Sequence, residues 1–511
     1  MAKRSRRSSG DDLALKLLDN STIHKAEYHG PRSSSEGAIT TPHQRKALEA
    51  FSDKYRRSLS NKCIPQRTAY IISELEKAGY KTLEETDGIS ITEFLKDDLG
   101  EFHYPPGTKF YLTFQDDVVI AANIGKKSMQ EGVQFGFAHT DSPYLLGTGR
   151  FMQRDGLVYM ATEPFGGIRP ETWTDRQLSL FFKGTRKGRN GRRERVSFSI
   201  GDNPGDPSFT IPRECFHLED EDEELMNDQL KVLLGNTPYK GNFSDHTKAV
   251  LLETMRVFNE KYGLRERDFK LGQTHIFPSE EARFTGQDGS MISGFGQDDW
   301  ACAAAMLEGF VETKNPTYTS VLQLHPGEEV GDNGRGTTGA GFLGEIFTPA
   351  LGQMQGNDLG EHYEGLLASQ SLWADVIEVR HDFSPEFHDE NDSAFLGAGP
   401  ILIRQNGDEA NYSGWRSSPD TLSYIDSFME ANNIPYQVAT MGHSEERIPG
   451  ASAEIHQAVF ADGVDLAIPI AGMHSMNETV SAADVFLFSK AAKAYFSIKN
   501  RKKHMPIDPK S

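Results

Sequence analysis

Glu328 and Glu329 stand side by side in LHPGEEVG, directly after an apolar run, TSVLQL at 319–324, that a Pro-Gly pair then breaks. The run reads as a buried strand, so two carboxylates sit where a strand ends, the edge at which open α/β sheets build their sites. Neighbouring acids repel, and keeping both ionised calls for a cation. One of the pair then suits a metal ligand and the other a general base. A solvated acidic turn is the plain alternative, and the remaining ligand-type residues decide between the two.

His139 follows the short apolar run QFGFA at 134–138, with Asp141 two residues on in HTDSP. That spacing suits a ligand imidazole oriented by a neighbouring acid, although His-x-Asp is a common pair. Asp298 and Asp299 precede ACAAAMLEGF, a helix of small and apolar residues; capping that helix is their structural reading, and aiming a carboxylate at a site is their chemical one. Asp375 lies inside the apolar strand SLWADVIEV at 371–379, where a carboxylate is costly unless paired or metal-bound. His474 follows a strand at 465–470, where a lone His is ordinarily a loop residue. Together, His139, Asp298, Glu329, Asp375 and His474 are two imidazoles and three carboxylates at the ends or caps of alternating elements. That set suits a pair of divalent ions, zinc, manganese or cobalt, with one bridging carboxylate. Glu328 is left over to take a proton from water.

The elements that position these residues follow from the pattern. The first 41 residues are polar and read as a mobile tail. Helical periodicity begins near Arg45 and resumes at 68–78, then strands at 109–114 and 118–124 read as a hairpin. Between about 147 and 286 the character turns β-rich, with strands at 177–182 and 196–200 flanking the basic loop KGTRKGRNGRR and an acidic run after His217. The expected division is a tail at 1–41, a catalytic domain at 42–146 and 287–511, and an inserted β-rich domain at 147–286. Helices at 421–432 and 481–497 and a strand at 436–440 continue the α/β alternation.

Composition narrows the function. The chain has 511 residues, a net charge of -20 and three scattered cysteines. Nucleic acid is not an expected partner, since the basic loop lacks interleaved aromatics and reads as a hairpin tip. No apolar run approaches the roughly 18 residues of a membrane span, and no secretory signal begins the chain, so a soluble cytoplasmic protein with reduced cysteines is expected.

FAHTDSP, GQDDWACAAAMLEGF, GEEVG, the Asp375 strand and GMHSMNE occur in this order together with FGGIRPETWTDRQL and DPSFTIPRECFHL. In this the chain resembles the aspartyl aminopeptidase and vacuolar aminopeptidase I family of dinuclear zinc exopeptidases, from about Phe51 to Phe496. The resemblance implies a zinc-exopeptidase-like α/β/α catalytic domain with a β-rich dimerisation domain inserted. It implies that His139 and Glu329 bind different ions, that Asp298 bridges, and that Asp375 and His474 complete the two sets. It further implies Glu328 as base, Asp141 as the orienting partner of His139, and His217 as a residue reaching into a neighbouring subunit's site. Peptides with a free N-terminus are the implied substrates, and homodimers that build dodecamers the implied assembly.

Two departures bear on specificity. A Gly-rich segment of the family is replaced by Ile448-Pro-Gly-Ala-Ser-Ala-Glu454, and a Lys of acid-specific relatives by Ala398 before Gly399-Pro400. A preference for acidic N-terminal residues is therefore not expected, and neutral or basic residues suit the chain as well. The same segment supports the rival reading of an altered family member serving as a metal-bound assembly or cargo scaffold. Deacylation or deamidation by the same metal pair is a third.

Overall fold

The computed structural model describes residues 35–87, 104–114, 117–188, 190–203, 205–215, 217, 225–331, 340–354, 359–380, 393–406, 415–439, 459 and 461–506. The Gly450–Glu454 segment, most of the N-terminal tail and most of the acidic run after His217 lie outside them.

Four parallel strands form the centre of a large mixed sheet, in the order Ser320–His325, Gln134–His139, Gln370–Glu378 and Asp462–Ala471. Their side chains are buried on both faces, which is why QFGFAH and SVLQLH read as continuous rather than alternating runs. Antiparallel strands flank them. Lys109–Phe114 and Val118–Asn123 form the expected hairpin on one side, and Glu478–Ser481, Met291–Gly294 and Arg283–Thr285 extend the other. The register sets His139 opposite His325 and Asp375 opposite Ala467, so both candidate ligands stand toward the carboxyl ends of parallel strands.

One face of this sheet is covered by the helices Pro42–Ser58, Gln297–Glu312, Pro419–Ala431 and Ala482–Phe496, the other by apolar side chains from 340–366. Small residues let these layers approach. A Cβ on Gly136 would stand 2.6 Å from Phe496, and one on Gly309 2.6 Å from the backbone N of Lys493. Gly309 thus brings the two long helices together, and Gln297–Glu312 also packs on the central strands Gln370–Glu378 and Gln134–His139.

The chain leaves the large sheet at Thr140–Pro143 and enters a second, six-stranded antiparallel sheet. Its order is Arg193–Ile200, Leu178–Lys187, Gln273–Pro278, Tyr144–Arg154, Leu157–Phe165 and Lys231–Gly235. Phe151, Phe182, Phe258 and Phe269 pack edge-on and tilted between it and the helices Ala249–Tyr262 and Glu266–Leu271. This sheet therefore has a core of its own. Among the described residues no helix is long and apolar enough to cross a membrane.

Candidate metal centre

His139 ends its strand fully buried, and its Nδ1 lies 3.2 Å from Asp141 Oδ1. That contact leaves Nε2 to face inward, where among the described residues it makes no hydrogen bond but meets Asp298 Oδ1 at 3.3 Å and Asp375 Oδ1 at 3.5 Å. On the other side, His474 Nε2 meets Asp298 Oδ2 at 3.2 Å and Glu329 Oε2 at 3.5 Å. The two oxygens of one carboxylate thus face one imidazole each.

Asp298 and Asp299 do not cap their helix. Both have non-helical backbone angles inside Gln297–Glu312, Gly296 takes the N-cap position, and no side-chain capping bond is made. Asp299, not among the ligands expected from the sequence, joins His139 and Asp375 in a group of donors within 4.8 Å of one another. Among the described residues, both Asp299 oxygens are buried without an ordinary hydrogen-bond partner, beside the Cys302 thiol.

Glu328 and Glu329 occupy a single helical turn, Glu328–Val330, between left-handed Gly327 and Gly331. The Glu329 N–H donates to Asp141 Oδ2 at 3.2 Å, so Asp141 holds His139 with one oxygen and the glutamate turn with the other. Glu328 Oε2 stands 3.8 Å from His139 Nε2, farther than Asp298 and Asp375.

The electrostatics call for positive charge. Burial and the nearby carboxylates push Glu328 up to about 8. Burial and Asp298 push Glu329 and Asp375 above the usual carboxylate range. Burial raises Asp298 as well, but contacts with His139 and His474 outweigh it and hold it low. Burial opposes charge on His139, yet Asp141, Asp298 and Asp375 raise it well above an ordinary imidazole. Cations suit such a cluster better than shared protons. The spacing fits too: two donors about 2.1 Å from a tetrahedral ion lie about 3.4 Å apart, and the four carboxylate–imidazole contacts run from 3.2 to 3.5 Å. Buried donors left over, His139 Nε2 and Glu329 Oε1, complete the fit.

Several residues that the sequence reading does not single out build the frame. Glu478 accepts the N–H groups of Gln297 at 2.6 Å, Asp298 at 3.1 Å and His474 at 2.8 Å. Glu378 accepts those of Gly472 at 3.0 Å and Met473 at 2.7 Å. His474 itself has φ 62°, so its loop is held in place by two carboxylates rather than by regular structure. The Arg67 guanidinium, 1% exposed, donates to the carbonyls of Thr140 at 2.7 Å and Gly296 at 2.6 Å and to Ser142 Oγ at 2.8 Å, joining the His139 and Asp298 loops. From the second sheet, Gly166 and Gly167 lie against Glu329 and His474; a Cβ on either would stand 3.1 Å from Glu329 or 3.2 Å from His474 Nδ1.

His217 belongs to neither donor group among the described residues; it is exposed, with Cys215 Sγ 3.2 Å from its Nδ1. Ala398 is buried between Gly397 and Gly399, whose N–H groups donate to Asp484 at 2.7 and 2.9 Å.

Residues 61–496 match the family described as aminopeptidase I zinc metalloprotease (M18). A probable M18 family aminopeptidase 1 of Borreliella burgdorferi is 28% identical over 458 residues, covering 87% of this chain and 95% of that protein. A counterpart of the same description from Thermotoga maritima is 26% identical over 453 residues, covering 87% and 95%. Among solved structures, the crystal structure of an M18 aminopeptidase from Thermotoga maritima superposes with a TM-score of 0.81 at 24% identity, covering 92% of this chain and 99% of that one. The mApe1 dodecamer of S. cerevisiae superposes with a TM-score of 0.69 at 18% identity, covering 90% and 98%.

Proposed function

Since the chain belongs to the aminopeptidase I zinc metalloprotease (M18) family, a hydrolase family, we propose that it releases single N-terminal residues from peptides with two zinc ions, manganese or cobalt serving in their place. His139 and Asp375 would hold one ion with Asp299 beside them, Glu329 and His474 the other, and Asp298 would bridge. The observation that carries this reading is the division of the two Asp298 oxygens between His139 and His474. Bound there, the ions supply Lewis-acid polarisation of the scissile carbonyl and lower the pKa of water.

The chain's own groups do the rest. Glu328, close to the cluster but in neither donor group, accepts a proton from the attacking water and hands it to the departing amine. Asp141 fixes the His139 ring and the Glu328–Glu329 turn together. Gly166 and Gly167 leave room beside Glu329 and His474, so the inserted 147–286 domain closes one wall of the site. We assign that domain the dimer contact, with His217 delivered to the partner's site, dodecamers as the larger assembly, and the cytoplasm as the location. Peptides with a free α-amino group are the substrates.

Metal content per chain, measured together with hydrolysis of aminoacyl arylamides bearing acidic, neutral and basic residues, tests the reading. Two ions and cleavage of at least one class are expected. Hydrolysis that survives removal of all metal would overturn it.

A further inference from the structure

A second concave site adjoins the metal centre. A groove of about 500 Å³ runs along the open face of the six-stranded sheet, lined by Tyr144, Leu146, Glu163, Lys183, His275 and the Pro326–Gly327 step. Its size suits a short peptide or a small ligand. On its floor, His275 is 2% exposed, neither ring nitrogen has a hydrogen-bond partner among the described residues, and Tyr144 and Phe181 pack against the ring with centroids 4.9 and 5.9 Å away. A buried imidazole with two unmet hydrogen-bonding atoms is costly, and buried polar groups ordinarily find partners.

The strand register orders the groove. Leu146 pairs with His275 and with Glu163, and two residues along, on the same face, Gln273 pairs with Lys183. Tyr144, paired with Phe165, stands at the opposite end. That end abuts the metal centre: Phe165 precedes the two glycines that lie on Glu329 and His474, and Pro326–Gly327 precede Glu328. From Tyr144 to the level of Lys183 is about four residues of strand, roughly 13 Å at 3.3 Å each, with further lateral reach of about 5 Å per strand. The groove therefore has an apolar end at the catalytic turn, the Glu163 carboxylate midway and an ammonium group at the far end, with Asp117 also in its lining.

Resting on the aminopeptidase reading, we infer that this groove binds the part of a short peptide downstream of the scissile bond, about three to four residues, with its terminal carboxylate at Lys183 and its backbone near His275. The direction follows from the chemistry. The base that protonates the leaving amine must lie beside it, so the departing chain passes the Glu328 turn, whose flanking residues Gly327 and Val330 line the groove. A charge-assisted bond from Lys183 then favours peptides that end within its reach.

The test compares a tetrapeptide with a free C-terminal carboxylate, the same peptide amidated, and an aminoacyl arylamide that has no downstream residues. The expected parent enzyme prefers the free acid over the amide about tenfold in kcat/KM, through KM, and Lys183→Ala abolishes that preference. His275→Gln, which keeps hydrogen-bonding atoms, and His275→Phe, which does not, are expected to differ on the tetrapeptide far more than on the arylamide. Calorimetric titration of metal-loaded Glu328→Gln protein with the two tetrapeptides reads binding without turnover. Carboxylate-dependent binding lost on adding Lys183→Ala supports the groove even if no peptide is cleaved, a result that would sink only the aminopeptidase reading. Peptide cleavage with no preference for the free carboxylate, or one that survives Lys183→Ala, overturns the groove assignment alone. So does a fall in oligomer size with Lys183→Ala by light scattering, which would make a second copy of this chain the occupant.

Discussion

Glu478 Oε1 accepts the backbone N–H of His474 at 2.8 Å. The other oxygen of this carboxylate takes the N–H groups of Gln297 and Asp298, so one buried side chain sets the positions of residues from both imidazole–carboxylate pairs. Glu478→Gln puts an amide NH2 where an N–H now donates, forcing one of these contacts apart. The expected result is a loss of metal affinity of about 10–100-fold, the range for disturbing the partners that orient ligands, with unchanged far-UV circular dichroism. Chelator competition measures it, and parental affinity in the variant would refute the role.

Glu328 Oε2 stands 3.8 Å from His139 Nε2, beyond Asp298 and Asp375 at 3.3 and 3.5 Å, and belongs to neither of the two donor groups. Glu328→Gln is therefore expected to keep both ions and the fold and to lose about 10²–10⁴-fold in kcat, the usual scale of a general acid–base group. Steady-state kinetics beside a metal count checks it. A variant that lost the ions as well would make Glu328 a ligand rather than a base.

Gly166 and Gly167 bring the second sheet to the site. Gly166 has φ 71°, and its missing Cβ would lie 3.1 Å from Glu329; at Gly167 the missing Cβ would lie 3.2 Å from His474 Nδ1. Gly167→Ala, which carries no left-handed backbone, crowds His474 directly. It is expected to lower kcat/KM at least tenfold with little change in thermal stability, whereas Gly166→Ala adds backbone strain of about 1–3 kcal/mol. Equal kinetics for Gly167→Ala and parent would show that this wall does not bear on the reaction.

The sequence displays the donors and hides their supports. His139, Asp375 and Glu329 stand out because a polar group inside or just past an apolar run needs an explanation. Glu478, Glu378 and Arg67 act on backbone N–H and C=O groups, which have no sequence signature, and Arg67 meets Gly296 across 229 positions. Asp299 is masked by its place before a helix, where an acid reads as a cap; left-handed Gly296 takes that place instead. The central strands are legible because their burial on both faces makes unbroken apolar runs, while His275 sits within such a run, HIFP, and shows nothing locally.

Arg67 is buried with no carboxylate in salt-bridge contact among the described residues, and its guanidinium is satisfied by three carbonyls, Ser142 and the face of Trp300 at 5.2 Å. Arg67→Ala strands those carbonyls in the interior, at about 1–3 kcal/mol for each left unpaired. A loss of more than about 3 kcal/mol in urea unfolding is expected, along with weaker metal retention. Lysine cannot reach the Thr140 and Gly296 carbonyls at once, so Arg67→Lys is expected to recover only part of the stability.

His275 gives the fold a pH dependence. Burial, helped by the Lys183 charge, lowers its pKa to about 4 from an ordinary 6.5. Above pH 6.5 the imidazole is neutral in both folded and unfolded chains and contributes no slope. Between about 6.5 and 4 the unfolded chain takes up the proton and the folded chain does not, so stability falls as pH falls, by about 3 kcal/mol at most from this group. Urea unfolding at pH 7.5, 6 and 5 is expected to show a smaller decline for His275→Gln than for the parent. Because the carboxylates titrate in both proteins, the difference between the two curves isolates the histidine. Parallel curves would mean that His275 is already protonated, or reaches water, in the folded chain.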